Sequence, residues 1–201
     1  MKRVLVVGAS GLLGRNIATV LGDTAEVVEA SRSGSSEIVD ITHPRSIEQL
    51  FGRIGEVDAV ICVAGMVPFL PWQETTGQDW GIGVSSKLMG QVDLVRIGAP
   101  FVRDGGALIL TTGVLAEHPI PGSSIVTTVN SAVDGFVRAA AIEVGRGVRV
   151  NAVSPGWITE TMEAMGMDSS AGLPAAEVAR VYARLLDEDV TGCSVVAAKG
   201  M

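Results

Sequence analysis

Short apolar segments alternate with longer segments of helical periodicity over the whole chain, and few architectures accept such an order. Each apolar segment lies between Gly, Pro or polar turn residues, which is typical of strands in a parallel sheet that helices cover on both faces. We therefore expect one α/β domain over residues 1–201, built as a doubly wound parallel sheet of about seven strands. The predicted strands are 4–7, 25–29, 37–39, 57–63, 107–111, 148–153 and 194–197.

Helical periodicity predicts five helices, and two of them are unusual. Segment 77–101 contains Gly81, Gly83 and Gly90, and each interior Gly costs a helix about 1 kcal/mol relative to Ala, so we expect close packing against another backbone there. Segment 124–144 is apolar on much of its surface, which indicates that it is buried or shared with a second subunit. We favour a homo-oligomer, a dimer or tetramer, through these two segments. The other predicted helices are 12–21, 44–53 and 175–186.

Composition restricts the possible partners. The chain has 22 acidic against 15 basic residues, so a basic face for nucleic acid is not expected. Neither Cys62 nor Cys193 has a Cys or His partner at zinc-site spacing, so no metal is predicted. No uninterrupted apolar run approaches the ~18 residues of a membrane span, and the first apolar run is too short for a signal peptide. We expect a cytoplasmic protein that does not bind a membrane.

A glycine-rich turn, GASGLLG, joins the first predicted strand to the first predicted helix. Glycines in that place let the backbone approach a pyrophosphate, and the free N–H groups of the helix N terminus bind its charge. A glycine-rich turn on its own is often only a turn, but the strand–turn–helix context is the one that dinucleotide binding needs. We expect cofactor contacts from Gly8, Ser10, Gly11, Leu12, Leu13 and Gly14.

The residues after the second predicted strand bear on cofactor choice. An NAD-selective site usually has an acidic residue there, against the ribose 2′-hydroxyl, whereas this chain has Ser31 and Arg32. The planar guanidinium of Arg32 suits a 2′-phosphate, although a solvated surface Arg is the plainer interpretation. We expect NADP(H) to be preferred over NAD(H).

Four further segments, with the glycine turn, resemble the short-chain dehydrogenase/reductase family over nearly the whole chain. IVDIT resembles the family's adenine contact, CVAG its Asn-Asn-Ala-Gly element, RVNAVSPGWIT the stretch beside the nicotinamide, and EDVTGCSVV the approach to the last strand. The resemblance implies a Rossmann-type fold and a nicotinamide cofactor. The cofactor contacts that it adds are Asp40, Ile41, Ala64, Gly65, Pro155, Gly156 and Ile158.

Two features depart from the commonest family pattern. The turn has Gly11 followed by Leu12, whereas the family usually has this glycine one place later. In this spacing the chain resembles the atypical members of the family. The segment that would cover the substrate runs only from Trp157 to about Leu173, which implies an open or shallow substrate site.

The family's chemistry normally uses Tyr-x-x-x-Lys in the helix after the fifth strand. The segment NSAVDGFVRAAAIEV resembles the one that begins at the family's Lys, so Asn130 stands in place of that Lys and Val126 in place of the Tyr. Tyr182 is the only tyrosine in the chain, and its helical periodicity favours a packing role. The resemblance therefore implies a non-standard active site.

The preceding helix shows the reciprocal change. SSKLMGQ resembles the family's Asn-x-x-Gly, which puts Lys87 in place of the Asn and Gly90 in register. Both helices flank the nicotinamide ribose in the family, so Lys87 and Asn130 can meet there and hold the ribose hydroxyls or lower the pKa of a neighbour. The alternative is that Lys87 is an ordinary solvated helix lysine.

Two further residues are candidates for the reacting oxygen. Thr112 stands in place of the family's Ser and can donate a hydrogen bond to a substrate carbonyl, or it can bond local backbone, as Thr often does. His118 is the second, because a histidine can serve as a proton donor, although a lone loop His is usually structural or solvated.

Our first hypothesis is an NADP(H)-dependent oxidoreductase that moves a hydride between nicotinamide and a carbonyl or alcohol of a small-molecule substrate, with slow or unusual turnover. The absence of Tyr at Val126 keeps two alternatives open. One is an NADP(H)-binding sensor or scaffold without catalysis, and the other is a redox-neutral cyclase or isomerase that uses the same pocket.

Overall fold

A computed structural model, which describes residues 1–200, contains one seven-stranded parallel sheet. Every predicted strand is confirmed, and the longest, β5, begins five residues earlier than expected because Val102 pairs with Val57 before a register shift. The strands are β1 Lys2–Val7, β2 Ala25–Ser31, β3 Glu37–Ile38, β4 Val57–Cys62, β5 Val102–Thr111, β6 Arg149–Pro155 and β7 Ser194–Ala197. Their order across the sheet is β3-β2-β1-β4-β5-β6-β7.

Seven helices cover the sheet within the described residues, two more than the periodicity predicts. The added helix α6 lies in the short covering segment, and the other addition comes from an interruption of the predicted helix 77–101. The helices are α1 Leu12–Leu21, α2 Pro44–Ile54, α3 Gly77–Gly83, α4 Gly90–Gly98, α5 Ser124–Glu143, α6 Thr159–Ala164 and α7 Ala175–Leu185.

A π-helical turn, Val84–Met89, joins α3 to α4, so the predicted helix 77–101 is helical throughout but not α-helical throughout. The flanking glycines explain part of this geometry: a Cβ on Gly83 would lie 2.6 Å from Ile125 Cγ2, and one on Gly90 2.7 Å from Ile41 Cδ1. Side chains, rather than the backbone that we expected, use the space of these two glycines. Gly81 has no atom within 4 Å of its Cβ position. Isolated π turns are frequent at functional sites.

The two faces of the sheet carry separate cores. Along β1 the side chains alternate, so that Leu5 and Val7 pack toward α2, α4 and α5, whereas Val4 and Val6 pack toward α1 and α7. Because both faces are covered, the strands are apolar almost throughout rather than alternating with polar residues. Strands β2 and β3 add to one side of β1, and β4 then adds to its other side, so the order of strand addition reverses at this point. β1 and β4 pair along the C-terminal halves of both strands. In such sheets the crevice outside the strand carboxyl ends at this point is where ligands bind.

Helix α5 is the one helix among residues 1–200 that is long and apolar enough to cross a membrane by length and composition, with 20 residues and a mean hydropathy of 1.2. The sequence of α5 contains no long uninterrupted apolar run, because polar residues are interspersed among the apolar ones. Core helices of soluble proteins meet the same criterion, and here Ile125, Val129, Val133 and Val137 of α5 are at most 1% exposed against the sheet.

Candidate functional site

The glycine turn between β1 and α1 is built so that two of its three glycines, Gly8 and Gly14, are sterically required. Gly8 has φ +95°, and a Cβ on it would lie 2.8 Å from the backbone nitrogen of Ala64. A Cβ on Gly14 would lie 2.1 Å from the carbonyl oxygen of Gly8, so the first turn of α1 sits directly on the end of β1. Gly11 caps α1 and donates its N–H to the Gly8 carbonyl at 3.0 Å. Gly8 and Ala9 donate their N–H groups to the carbonyl of Ala30 in β2, whereas the first N–H groups of α1 have no partner within the helix, as an anion site requires.

A first cavity of about 260 Å³ opens beside this turn, at the carboxyl ends of β1, β2 and β4. Leu12, Leu13 and Gly14 do not line it; they lie behind the turn in the first residues of α1, where Gly14 allows the close approach. Ser86 of the π-helical turn also lines it and accepts the N–H of Met66 at 2.9 Å, a contact that the sequence did not indicate. The predicted residues that do line it are Gly8, Ser10, Gly11, Arg32, Asp40, Ile41, Ala64 and Gly65.

Two charged side chains stand on the rim of the first cavity. Arg32 is exposed, and its guanidinium lies 3.7 Å from the sulfur of Met66. Asp40 accepts hydrogen bonds from the N–H and hydroxyl of Thr42, at 2.9 and 2.7 Å. Burial alone would raise the pKa of Asp40, but these two bonds and the nearby positive charges lower it below its ordinary value. The rim therefore presents one cation, which forms no ion pair among residues 1–200, and one anion that is already hydrogen-bonded.

A second cavity, of about 400 Å³, lies farther along the carboxyl edge of the sheet. It brings together the candidates Lys87, Thr112 and Asn130, which come from the π-helical turn, the end of β5 and α5. Its other lining residues are mostly apolar, and Lys87 is the one charged residue that lines it among residues 1–200. Further predicted residues on its wall are Val126, Pro155, Gly156 and Ile158.

Lys87 is half-buried in the second cavity. It packs against Gly65, where a Cβ would lie 2.9 Å from Lys87 Cδ, and no ion pair forms with its ammonium within residues 1–200. Burial lowers the pKa of Lys87 to about 8, while the Cys62 thiol and the Asp134 carboxylate act in the opposite direction. The half-buried place of Lys87 on the cavity wall favours a role in the cavity over that of an ordinary solvated helix lysine.

Asn130 is 4% exposed, and its Oδ1 has no hydrogen-bond partner within the described part of the chain. A Cβ on Gly113 would lie 2.9 Å from Asn130 Nδ2, so the amide is pressed against the loop after β5. A buried polar atom without a partner costs free energy, and its presence in a native structure calls for a partner that the protein alone does not supply. A ligand hydroxyl in the cavity fits this requirement.

Thr112 is buried, and its hydroxyl donates to the carbonyl of Asn130 at 3.1 Å. The hydroxyl proton is thus engaged within the protein, which favours the local backbone role over donation to a substrate. Thr112 ties the end of β5 to α5 and so fixes where Asn130 enters the cavity.

His118 lies apart from this group. It is exposed and lines a separate small cleft with Asp134 and Ser194, whose hydroxyl donates to Asp134 at 2.6 Å. His118 does not line the cavity of Lys87, because the loop after β5 carries it to a neighbouring cleft one helical turn farther along α5, at Asp134. Tyr182 is fully buried in α7, and its hydroxyl lies 2.7 Å from Thr111 Oγ1. Its predicted packing role agrees with this position, and burial raises its pKa.

Sequence reasoning also missed a buried polar contact behind the cavity. Gln91 of α4 is 0% exposed and bonds to backbone groups of Lys87 and Thr111. A Gln on the apolar face of a helix would have indicated this contact. The π-helical turn shifts that face by one residue, so the sequence pattern does not place Gln91 on it.

Comparisons with known proteins agree with the geometry. A family model described as enoyl-(acyl carrier protein) reductase matches residues 13–201. Hydroxynaphthalene reductase arp2 from Aspergillus fumigatus is 30% identical over 186 residues, which cover 83% of this chain and 68% of that protein. The crystal structure of protein lin1944 from Listeria innocua has a TM-score of 0.94 at 36% identity and covers 98% of this chain and 100% of that chain.

A second solved structure shares the fold at lower identity. A small-chain dehydrogenase in complex with NADPH has a TM-score of 0.88 at 24% identity, over 99% of this chain and 97% of that chain. The family model, the reductase relative and the parallel sheet lead to one assignment. The chain belongs to the short-chain dehydrogenase/reductase family and is an oxidoreductase of the dehydrogenase/reductase type.

Proposed function

We propose that this protein is an NADP(H)-dependent oxidoreductase that interconverts a carbonyl and an alcohol through a non-standard active site. The single observation that carries the proposal is that Lys87 and Asn130 line one cavity, where, among residues 1–200, Lys87 forms no ion pair and Asn130 Oδ1 has no hydrogen-bond partner. When bound, the nicotinamide supplies or accepts the hydride. The protein's own task is to bind, orient and exchange a proton.

The two cavities divide that task. The first cavity would take the pyrophosphate where Gly8, Ser10 and Gly11 line it, and it continues to the residues that the family resemblance assigns to adenine, Asp40 and Ile41. The second cavity would take the nicotinamide end beside Pro155 and Gly156. Asn130 Oδ1 accepts a hydrogen bond from a ribose hydroxyl, which would give this atom the partner that it lacks.

Lys87 takes over the proton chemistry in this proposal. An ammonium with a pKa of about 8 is a stronger acid than an ordinary lysine, and it remains mostly protonated at neutral pH. In the direction of reduction, Lys87 Nζ gives its proton to the carbonyl oxygen of the substrate, directly or through a water molecule. A catalytic acid is most effective when its pKa lies near the working pH.

The preference for NADP(H) rests on Arg32. It is the cation on the rim of the first cavity, and the neighbouring Ser31 and Ser33 also line that cavity without adding a carboxylate. A solved relative of the same fold was crystallised with NADPH. Dissociation constants for NADPH and NADH, measured for wild type and Arg32→Ala, test this. We expect about a tenfold or larger loss for NADPH alone, since a charge-assisted hydrogen bond contributes about 1.5–3 kcal/mol; equal wild-type affinities would contradict the preference.

The substrate is expected to have an apolar body. Val67, Val114, Leu115 and Trp157 form most of the second cavity's wall, and such linings select apolar ligands. The relative from Aspergillus fumigatus is named for a hydroxynaphthalene substrate. We propose an uncharged carbonyl compound of that general size. A panel of bicyclic and monocyclic ketones, followed by NADPH absorbance at 340 nm, tests it.

One observation favours a second candidate, an NADP(H)-binding sensor without catalysis. Val126 offers no phenol to the second cavity, and His118 lies outside it. Tight NADPH binding without turnover on the whole panel, and no effect of Lys87→Ala beyond affinity, would favour the sensor. Conversion of a substrate without a change at 340 nm would instead indicate a cyclase or isomerase.

The assembly that we propose is a homodimer through α3, α4 and α5. Val84 and Met89 of the π-helical turn and Ile142 of α5 are 39%, 41% and 86% exposed, which leaves apolar side chains on the helices that the sequence assigned to the interface. Size-exclusion chromatography with light scattering tests this, and a monomer would contradict it. The cytoplasmic location stays a prediction.

A further inference from the structure

Gln91 of α4 is fully buried, and its side-chain amide holds backbone groups of two different elements. Its Nε2 donates to the carbonyl of Lys87 at 3.0 Å and to the carbonyl of Thr111 at 2.9 Å. Its Oε1 accepts the N–H of Thr111 at 2.8 Å. The amide is therefore satisfied at both ends, and it joins the π-helical turn to the last residue of β5.

Both of the residues that Gln91 holds are adjacent to the second cavity. Lys87 lines it, and Thr111 directly precedes Thr112, which also lines it. Thr111 is itself fixed, since its hydroxyl donates to the Cys62 carbonyl at 2.5 Å and meets the Tyr182 hydroxyl at 2.7 Å. Through Gln91, the backbone of Lys87 is tied to this fixed point in the sheet.

The π-helical turn gives this contact its importance. Gly90 donates its N–H to the carbonyl of Ser85, five residues back, so the turn is wider than an α-helical one. A slip to α-helical register would rotate the following residues by about 100° around the helix axis. An apolar side chain in place of Gln91 would leave the Thr111 N–H and the carbonyls of Lys87 and Thr111 without their present side-chain partner. Leaving buried backbone groups unpaired costs free energy, which favours a rearrangement that gives them new partners.

We propose that Gln91 is a positioning residue that fixes the Lys87 side chain in the second cavity, facing Asn130 and the end of β5. Its consequence for turnover rests on the function proposed above, whereas its effect on Lys87 itself does not. The groups that act on the Lys87 charge are the Cys62 thiol of β4 and the Asp134 carboxylate of α5.

The chain has only three lysines, Lys2, Lys87 and Lys199, so ¹³C labelling at lysine Cε gives three NMR resonances and reads the Lys87 pKa directly. In Gln91→Met, which keeps the size of the side chain and removes the amide, we expect the Lys87 pKa to rise toward the ordinary lysine value. The freed turn lets the ammonium reach water, and hydration favours its charged form. We also expect kcat for ketone reduction to fall about 10- to 100-fold with the KM for NADPH within about threefold, because a small misplacement costs about that much.

Asn151→Leu is the matched control. Asn151 is also 0% exposed, and its amide likewise bridges backbone groups, donating to Val190 at 2.7 Å and accepting from Cys193 at 3.1 Å. It lies four residues before Pro155, away from the carboxyl edge. We expect this variant to lose stability as Gln91→Met does, and to keep both the Lys87 pKa and kcat.

A second variant guards against failure of Gln91→Met to fold. Gln91→Glu keeps the shape, and its protonated carboxyl can accept from Thr111 but donate to only one carbonyl, so we expect a smaller rise in the Lys87 pKa. The proposal is overturned if Lys87 titrates as in wild type in both variants, or if Asn151→Leu shifts it equally. If wild type turns over no ketone at all, the proposed function fails, and the NMR titration still decides the role of Gln91.

Discussion

The two cavities at the carboxyl edge of the sheet are built by different means. The first is shaped by backbone, with Gly8 and Gly14 allowing contacts that no other residue permits. The second is shaped by side chains from three elements, and its one charged lining residue, Lys87, is joined by the unpartnered amide oxygen of Asn130. A backbone-built site tolerates little change in shape and needs few particular side chains. A site built from side chains can keep the shape of its cavity while its chemistry changes, as when Lys87 and Asn130 exchange the places that the family gives to Asn and Lys.

The largest effect is expected at the backbone-built cavity. In Gly14→Ala the new Cβ would lie 2.1 Å from the Gly8 carbonyl oxygen, and α1 must move away from β1. We expect the free energy of unfolding to fall by about 3 kcal/mol, as overpacked sites do, and the NADPH dissociation constant to rise more than about 100-fold. Urea unfolding and fluorescence titration measure both.

Gly52→Ala is the control for that change. Gly52 lies within α2 and has no atom within 4 Å of its Cβ position, so the same substitution should stabilise the helix by up to about 1 kcal/mol. Similar losses in the two variants would show that the glycine turn has no special role.

The next largest effect is expected in the second cavity. Lys87→Met removes the charge and keeps the apolar stem, so kcat for ketone reduction should fall about 10²- to 10⁴-fold, the usual contribution of a positioned acid. The NADPH dissociation constant should change little, because the first cavity is intact. Lys2→Met is the control, since Lys2 pairs with Asp187 on the exposed opposite edge of the sheet. A kcat within twofold of wild type for Lys87→Met would contradict the proposed role.

The same contrast explains what the sequence could predict. The strands and the glycine turn follow from local residue patterns, and a Gly between a strand and a helix has one steric meaning wherever the rest of the chain goes. The meeting of Lys87 and Asn130 also follows, because the family resemblance supplies the register of two helices. Neither the π-helical turn nor the contacts of Gln91 could be predicted, since they depend on how Ile41 and Ile125 fill the space beside Gly90 and Gly83.

His118 shows the limit of sequence proximity. It follows Thr112 by six residues, yet the loop after β5 turns it into a different cleft. Thr112 shows a related limit. Its place in the sequence predicts that its hydroxyl can donate to a substrate, whereas in the structure this hydroxyl donates to the carbonyl of Asn130.

The Lys87 ammonium makes the chemistry of the second cavity depend on pH. Burial lowers the pKa of Lys87 to about 8, so the ammonium is present below that pH and is lost above it. We expect kcat/KM for ketone reduction to fall about tenfold per pH unit above about pH 8, and alcohol oxidation, which needs the neutral amine, to rise through the same range. The Cys62 thiol, whose pKa burial raises to about 11, stays neutral there. Lys87→Arg should lack this alkaline transition, because guanidinium remains charged; an unchanged profile would assign the transition to another group.

The smallest effect is expected at Tyr182, and it tests whether the missing phenol has been replaced from elsewhere. Tyr182 packs on the face of the sheet that α1 and α7 cover. Lys87 and Asn130 reach the cavity from the π-helical turn and from α5, which lie near or on the opposite face. Its hydroxyl meets Thr111, and burial together with a raised pKa disfavours its ionisation. Tyr182→Phe should therefore cost about 1 kcal/mol of stability, the usual net value of one hydrogen bond, and leave kcat within about twofold. A loss of kcat beyond tenfold at unchanged stability would instead make Thr111 a proton relay through the sheet, and the second cavity would then draw its acid from Tyr182 on the α1 and α7 face rather than from Lys87.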